Sequence, residues 1–296
     1  MSVDANPQAL EPQDAVPAKA ELSQWAIIRS HPSIIVGGIL LGIMILIGVI
    51  GPLFTTDPVA LNPIKRLKPP QADFLFGTDF LGRDVFARVV HGARISLVVG
   101  LAVSAIAIFI GLIVGMISGY IRFLDAIIMR IMDGLMSIPA ILLAIALISL
   151  SGATLTTVVI AIVVPEVPRV VRLVRSVVLT VREEPYVEAA IAAGTTLPLI
   201  LYRHILPNTI APMIVQATYI CGSAMLTESI LGFLGAGIPP EIPSWGNIMA
   251  EGRTYFQISP WIIFYPGIAL AVTVLSVNIL GDGMRDTLDP RIARKM

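Results

Sequence analysis

Residues 134–165 read GLMSIPAILLAIALISLSGATLTTVVIAIVVP, a run of 32 residues without Asp, Glu, Lys or Arg. A helix needs about 20 mostly apolar residues to cross the hydrocarbon core of a bilayer, so the run is too long for one span and too short for two. Turn-forming residues at 151–154 interrupt it. We therefore predict a hairpin of two membrane helices, one starting near Ile131 and the other covering about 156–173.

Four more runs free of these charged residues lie on either side of the hairpin. They cover residues 30–56, 95–121, 204–227 and 254–281, with lengths of 27, 27, 24 and 28 residues. Each is long enough for one membrane helix. Together with the hairpin they predict an all-α membrane protein with six transmembrane helices.

Composition supports a membrane protein and excludes other classes. Of the 296 residues, 56% are hydrophobic and 14% are charged, against about a quarter charged in soluble domains. The 20 basic residues balance the 20 acidic ones, which argues against a nucleic-acid-binding protein, and the high hydrophobic content argues against a disordered chain. The single cysteine, Cys221, excludes an intrachain disulfide framework and a cysteine-based metal site.

The distribution of Lys and Arg predicts the orientation. With six spans both termini share one face, and placing that face in the cytoplasm puts 13 of the 20 basic residues inside, as the positive-inside rule favours. The N-terminus lacks the basic region of a signal peptide, so we expect an uncleaved first helix. The predicted organisation is a disordered cytoplasmic tail (1–30), a first transmembrane helix (31–54), an extracytoplasmic segment (55–93), a five-helix core (94–284) containing a long cytoplasmic loop (169–207), and a cytoplasmic C-terminal tail (285–296).

Two external segments, 55–93 and 233–260, are rich in Pro and Gly. Both also contain aromatic residues that an ordered structure can bury, so we predict ordered caps rather than flexible linkers. These aromatic residues are Phe74, Phe76, Phe80, Trp245 and Tyr255.

Three acidic residues fall within predicted spans, where an unpaired charge is costly. Asp133 and Glu166 lie near the cytoplasmic boundary, and we expect solvation or pairing with Arg130 and Arg169. Glu228 lies near the outer end of the fifth span. Two interpretations remain open for it: a functional side chain inside the membrane, or one that meets solvent beneath the outer loops.

The cytoplasmic segment 169–208 is too long for a simple connection. Arg169, Arg172 and Arg175 recur every three residues on a continuing helix, a pattern typical of interfacial anchoring. A new helix is expected to start at Glu183-Glu184-Pro185, because acids and proline both favour the first turn, and to end or bend at Gly194. The small side chains at 188–193 allow another backbone to approach closely. This pattern predicts a docking hairpin, and the alternative is a hairpin that packs under its own bundle.

One set of residues in this segment resembles the EAA loop of ABC importer permeases. It consists of Glu188-Ala189-Ala190, Gly194 and the Leu206-Pro207 pair. The general pattern has Ile two places before Leu-Pro, whereas this chain has His204 there. The sequence His-Ile-Leu-Pro-Asn at 204–208 is the form found in the peptide and nickel branch of that family.

Three further stretches resemble the same branch, so the resemblance covers the chain from about residue 77 to its end. They are Gly77-Thr78-Asp79 with Leu81-Gly82-Arg83-Asp84-Val85, Leu231-Gly232-Phe233-Leu234-Gly235 with Ser244-Trp245-Gly246, and Gly281-Asp282-Gly283 with Arg285-Asp286 and Leu288-Asp289-Pro290.

The resemblance implies a type I ABC importer permease of the dipeptide and oligopeptide kind in the bacterial inner membrane. It implies a heterodimer with a related permease, two ATP-binding subunits, and an extracytoplasmic solute-binding protein that delivers peptide. It implies ATPase-coupling roles for Tyr186, Glu188, Ala189, Ala190, Gly194, His204, Leu206 and Pro207. For the outer mouth of the pathway we name Glu228, Gly232, Phe233 and Gly235, with turn formation as the alternative role of the glycines.

The chain lacks the Gly-x-x-x-x-Gly-Lys-Ser/Thr phosphate loop. We therefore expect ATP and Mg²⁺ to bind the partner ATPase, and we predict no cofactor, metal or catalytic residue in this chain. The motifs do not separate peptide from nickel or glutathione as cargo. A self-contained secondary transporter is a less favoured alternative, because inverted repeats are not evident, and a scaffold without transport leaves the docking hairpin unexplained.

Overall fold

A computed structural model of the chain describes residues 31–288. Within that range the chain forms helices and turns, with two isolated β-bridges and no strand. The predicted N-terminal tail at 1–30, and the part of the predicted C-terminal tail after residue 288, lie outside the described residues. The helices are α1 (Pro32–Ile50), α2 (Val85–Tyr120), α3 (Arg122–Met136), α4 (Ala140–Ser151), α5 (Leu155–Val181), α6 (Pro185–Ala192), α7 (Leu197–Ile200), α8 (Leu206–Phe233), α9 (Trp245–Gly252) and α10 (Trp261–Leu288).

Four helical stretches are long and apolar enough to cross a membrane: Pro32–Leu53, Val85–Tyr120, Leu197–Phe233 and Trp261–Leu288. The pair α3 and α4 is bent by 89° and counts as a fifth when taken as one broken span. The remaining predicted span corresponds to α5, which has 27 residues but carries four charged residues between 166 and 175. The number of six transmembrane helices therefore remains a prediction.

The predicted hairpin is present, with its first arm broken. Gly152 has a φ of +84° and follows α4, and the Thr154 side chain caps the start of α5. The first arm starts at Arg122 rather than near Ile131, and it bends before Pro139, because a residue that precedes proline is disfavoured in the helical conformation. The second arm runs to Val181, beyond the predicted end at residue 173.

Helix ends differ from the ends of the charge-free runs. α2 begins at Val85, inside the predicted external segment 55–93, because the Asp84 carboxylate accepts a hydrogen bond from the Phe86 amide and caps the helix. α10 continues to Leu288, past the predicted core boundary at 284. A charge-free run marks the apolar part of a helix, and a helix continues wherever capping and packing allow it.

A stripe of glycines joins α2 to α5. Gly111, Gly115 and Gly119 recur every fourth residue on one face of α2, and each faces a valine of α5. A Cβ atom added at Gly115 would lie 2.7 Å from the Cβ of Val174. The missing side chains therefore let the two backbones approach closely, as in other membrane helix pairs with small residues at every fourth position.

Candidate functional site

We call residues 182–207 the coupling segment. α5 ends at Val181, a turn of three residues follows, and Pro185 occupies the first position of α6. Proline is tolerated there because a first-turn amide has no intrahelical acceptor. The helix start predicted at Glu183-Glu184-Pro185 is therefore present in the structure.

α6 presents a largely uncovered surface. Val187 is fully buried and fixes the helix against the bundle, whereas Tyr186, Glu188 and Ala189 are exposed. Ile191 is an apolar side chain that is 49% exposed. α6 is held by one buried side chain, and most of its other side chains are exposed. A hairpin that packed under its own bundle would bury more of its surface. The free face of α6 combines small side chains, one glutamate and an exposed isoleucine.

Gly194 ends this helix in a conformation that L-residues with a side chain rarely adopt. Its φ is +80°, and no atom lies within 4 Å of the position that its Cβ would occupy. The amides of Gly194 and Thr195 donate to the carbonyl oxygens of Ile191 and Ala190. Glycine is therefore favoured here by backbone conformation rather than by crowding.

The far end of the coupling segment continues into α8. Residues 201–205 form a π-helical stretch directly before Leu206. Pro207 fits because it lies in the first turn of α8, where the amide hydrogen that proline lacks is dispensable.

His204 and Asn208 bring the two ends of the segment together. The His204 ring lies 5.9 Å from the Tyr186 ring, measured between centroids. The Asn208 side-chain amide donates to the His204 carbonyl oxygen at 2.6 Å and to the Tyr186 hydroxyl at 3.4 Å. Among the predicted coupling residues, Tyr186 and His204 thus share one cluster, and Asn208 contributes to it.

Basic residues of α5 pair with acids on α3 and on α5 itself. Arg175 binds Asp125 through two hydrogen bonds of 2.5 and 2.6 Å. Arg172 binds Asp133 at 2.6 Å, and the Asp133 side chain is 58% exposed. Asp133 is therefore solvated, as one of the two expectations held, and its ion-pair partner is Arg172 of α5 rather than Arg130 on its own helix. The predicted pairing of Glu166 with Arg169 is present at 3.1 Å.

At the other end of the bundle, residues 51–84 and 234–260 form an ordered structure that we call the cap. Four charged side chains meet there: Asp79 and Arg83 from the first part, Arg88 from α2 and Glu251 from α9. Asp79 is fully buried, and Arg88 is 1% exposed. Glu251 had no sequence signal, because its partners lie more than 160 residues away.

Aromatic residues also hold the cap together, as predicted. Trp245 is fully buried, and its indole nitrogen donates to the Val89 carbonyl oxygen at 3.0 Å. Phe80 stacks on Tyr255 with 5.5 Å between ring centroids. Burial raises the pKa of the Asp84 carboxyl above its ordinary value, although the Phe86 amide bond opposes this shift. The cap is therefore a packed structure rather than a pair of loose loops.

The predicted pathway residues separate into buried and exposed ones. Glu228 is fully buried within this chain and is not exposed to solvent. Its Oε2 accepts from the Ser229 hydroxyl at 3.4 Å, and its Oε1 has no hydrogen-bond partner among the described residues. Gly232 is also buried, next to the backbone of Gly246. Phe233 is half-buried, and Gly235 is exposed at a φ of +80°.

Metal binding has no obvious centre in the described part of the chain. Between residues 31 and 288, no three His, Cys, Asp or Glu side chains are grouped as ligands of one ion.

Comparison with known proteins gives consistent similarities. Residues 107–294 match the family described as binding-protein-dependent transport system inner membrane component. The chain is 55% identical over 269 residues to a probable peptide ABC transporter permease protein of Sinorhizobium fredii, covering 91% of this chain and 92% of that protein. It is 41% identical over 267 residues to a dipeptide transport system permease protein of Alkalihalophilus pseudofirmus, covering 90% and 88%.

A solved structure shares the fold. The inward-facing MetNI methionine ABC transporter superimposes with a TM-score of 0.52 at 20% sequence identity, covering 68% of this chain and 97% of that chain.

Proposed function

Because this chain belongs to the family of binding-protein-dependent transport system inner membrane components, we propose that it forms half of the membrane pathway of an ATP-driven peptide importer. The chain is an inner-membrane permease with an ABC importer fold. Peptide is the proposed cargo, since relatives that align over nearly their whole length are named as peptide or dipeptide permeases.

The observation that carries the proposal is the exposed face of α6. Val187 holds this helix against the bundle, while Glu188 and Ala189 face outward. Small side chains let a partner backbone approach closely, and a single glutamate supplies a charge that can select a basic partner site. We assign this face to the ATPase subunit.

The division of labour follows from what this chain contains. It has no phosphate loop, so the proposal assigns ATP and Mg²⁺ to two partner ATPases and a non-catalytic role to this subunit. A second, related permease completes the pathway as a heterodimer. Both termini are placed in the cytoplasm, in keeping with the positive-inside bias.

The cap is the proposed receiving side, where a solute-binding protein delivers peptide. Phe233 and Gly235 are the predicted pathway residues with exposed surface, and we place the outer mouth beside them. ATP-driven closure of the ATPases would move α6 as a lever, with Gly194 at one end of it, and the bundle would open toward the cap.

Transport by the reconstituted complex tests this function. The permease pair, the ATPases and the binding protein are placed in lipid vesicles, and uptake of a labelled dipeptide is measured with and without ATP. We expect ATP-dependent dipeptide uptake that Glu188→Lys reduces strongly and Glu188→Asp reduces much less, because aspartate keeps the negative charge at this exposed position of α6. Uptake of nickel or glutathione instead of dipeptide would assign another cargo, and uptake without the ATPases would contradict the proposal.

A further inference from the structure

The coupling segment is joined to the bundle stiffly on one side and loosely on the other. Toward α5 the connection has three residues, and the amides of Glu183 and Glu184 donate to carbonyl oxygens of the last turn of α5. Toward α8 the chain passes through Gly194 before the helical stretch Leu197–Phe233 begins, and the side-chain hydrogen bond between Tyr186 and Asn208 is exposed and long at 3.4 Å. A displacement of α6 is therefore transmitted more directly to α5 than to α8.

The end of α5 nearest the coupling segment is bound to α3 by a two-point contact. Arg175 Nε and Nη2 donate to Asp125 Oδ1 and Oδ2 at 2.5 and 2.6 Å. The exposed fractions of the two side chains are 30% and 22%, so water only partly screens them. Two parallel bonds from a planar guanidinium fix the relative orientation of the two side chains as well as the distance between them.

The same carboxylate also holds the end of α2. The Ser118 hydroxyl, in the last turn of α2, donates to Asp125 Oδ1 at 2.7 Å. Nearby, Arg182 donates to the carbonyl oxygen of Gly119 at 3.1 Å. This oxygen lies in the last turn of α2, where the helix dipole favours a positive charge. The glycine stripe brings α2 and α5 together along the same half of the bundle. The ends of α2, α3 and α5 thus form one block beside the coupling segment.

We propose that Arg175 and Asp125 are positioning residues that make α2 and α3 follow the coupling segment when the ATPases move it. The inference rests on the proposed function, because it takes α6 as the ATPase-docking helix. α3 leads directly into the 89° bend before α4, so a movement of α3 reaches the interior of the bundle. On the α8 side, the turn at Gly194 absorbs part of the displacement.

The coupling through Arg175 and Asp125 is tested in the purified, reconstituted complex by the transport ratio, which is the number of peptides transported per ATP hydrolysed. Arg175→Gln and Asp125→Asn should each lower the ratio by about ten-fold, with normal amounts of assembled complex. Arg175→Lys should lower it less, since lysine keeps the charge but not the two parallel bonds. The double variant Asp125→Arg/Arg175→Asp should restore part of the ratio, which a role in packing alone would not predict.

Arg172→Gln is the matched control. Arg172 lies one turn from Arg175 on the same helix and binds Asp133 through one hydrogen bond, but the exposed fractions of these two side chains are 44% and 58%. Solvent weakens such a pair, so we expect the ratio to change by less than about two-fold. A normal ratio in Arg175→Gln, or an equal loss in both variants, would overturn the proposal. If Arg175→Gln assembles poorly, Arg175→Lys and the double variant decide by the same ratio.

A second readout is independent of peptide. In a Cys221→Ser background, spin labels at Arg122→Cys in α3 and Ile210→Cys in α8 report the distance between the two helices with and without ATP. With Arg175 present, the distance between the labels should change with ATP, and Arg175→Gln should abolish this change. If the full change in distance persists in Arg175→Gln, the proposed role of Arg175 is wrong. Absence of ATP-driven peptide uptake by the wild type would count against the proposed function instead, and the label distances would still test the coupling through Arg175 and Asp125.

Discussion

Arg88 Nη1 donates a hydrogen bond to Glu251 Oε2 at 2.5 Å, across 163 residues of sequence. Arg88 is 1% exposed, and the Glu251 side chain is 15% exposed. The same carboxylate accepts from Arg83, and both arginines also bind Asp79. Two acids and two bases therefore neutralise each other inside the cap and tie its two chain segments to the start of α2.

Glu251→Gln should destabilise the cap strongly. The substitution leaves Arg83 and Arg88 sharing one acid, and removing one partner from a buried ion pair costs about 3–5 kcal/mol. Thermal unfolding of the purified permease complex in detergent measures the loss, and protease cleavage within 55–84 reports local opening. Glu241→Gln is the control, because Glu241 is exposed and has no salt bridge among the described residues. Equal melting temperatures for the two variants would contradict this role of the cluster.

Gly115→Val should prevent close packing of α2 against α5. Even a Cβ at this position would lie 2.7 Å from the Val174 Cβ and 2.9 Å from the Val171 carbonyl oxygen, and overpacking costs about 1–3 kcal/mol or more. Gly38→Val is the control, since nothing lies within 4 Å of its Cβ position. The yield of folded protein in detergent, measured by gel filtration, should fall for Gly115→Val alone. Partial recovery with Val174→Ala would locate the clash.

The family, the helical fold and the inner-membrane location were predictable, and the comparisons confirm them. Gaps between charges located the apolar parts of helices, because charges are costly in lipid. The start of α6 was predictable from Pro185, since capping chemistry is local. The cap was predictable as an ordered structure, because Trp245 and its aromatic neighbours need a buried environment.

Relationships between helices were not predictable in the same way. Asp133 pairs with Arg172 rather than Arg130, and this choice depends on the rotation of two helices about their axes. Glu251 and the glycine at position 115 matter through partners distant in sequence. A single sequence without aligned relatives contains local preferences, whereas these contacts are set by packing.

Glu228→Gln should leave dipeptide uptake unchanged. The Glu228 side chain is fully enclosed, with the Ser96, Ser229 and Ser244 hydroxyls around its carboxyl, and glutamine has nearly the same shape and also accepts hydrogen bonds. Uptake of a neutral and of a cationic dipeptide by the reconstituted complex is compared for wild type and variant. A selective loss of cationic dipeptide uptake would show that the carboxylate meets the substrate in another conformation, as one of the two initial interpretations holds.

Substitutions at Gly194 should show whether glycine is needed for its backbone conformation or for the space it leaves to a partner. Its φ of +80° disfavours residues with a side chain, but no atom of this chain crowds its Cβ position. Asparagine adopts positive φ more readily than other residues, and valine is among the least able to do so. Gly194→Asn should therefore retain most ATP-dependent uptake, and Gly194→Val should lose most of it while the protein still reaches the membrane.

The amount of ATPase that co-purifies with each Gly194 variant distinguishes the two causes. If conformation governs the position, Gly194→Asn retains the ATPase, and Gly194→Val weakens its binding by misplacing the chain after α6. If the ATPase packs directly against Gly194, both side chains occupy the space that the partner needs, and both variants lose the ATPase to a similar extent. The first outcome would make Gly194 a joint of the lever, and the second would extend the docking surface beyond the exposed face of α6.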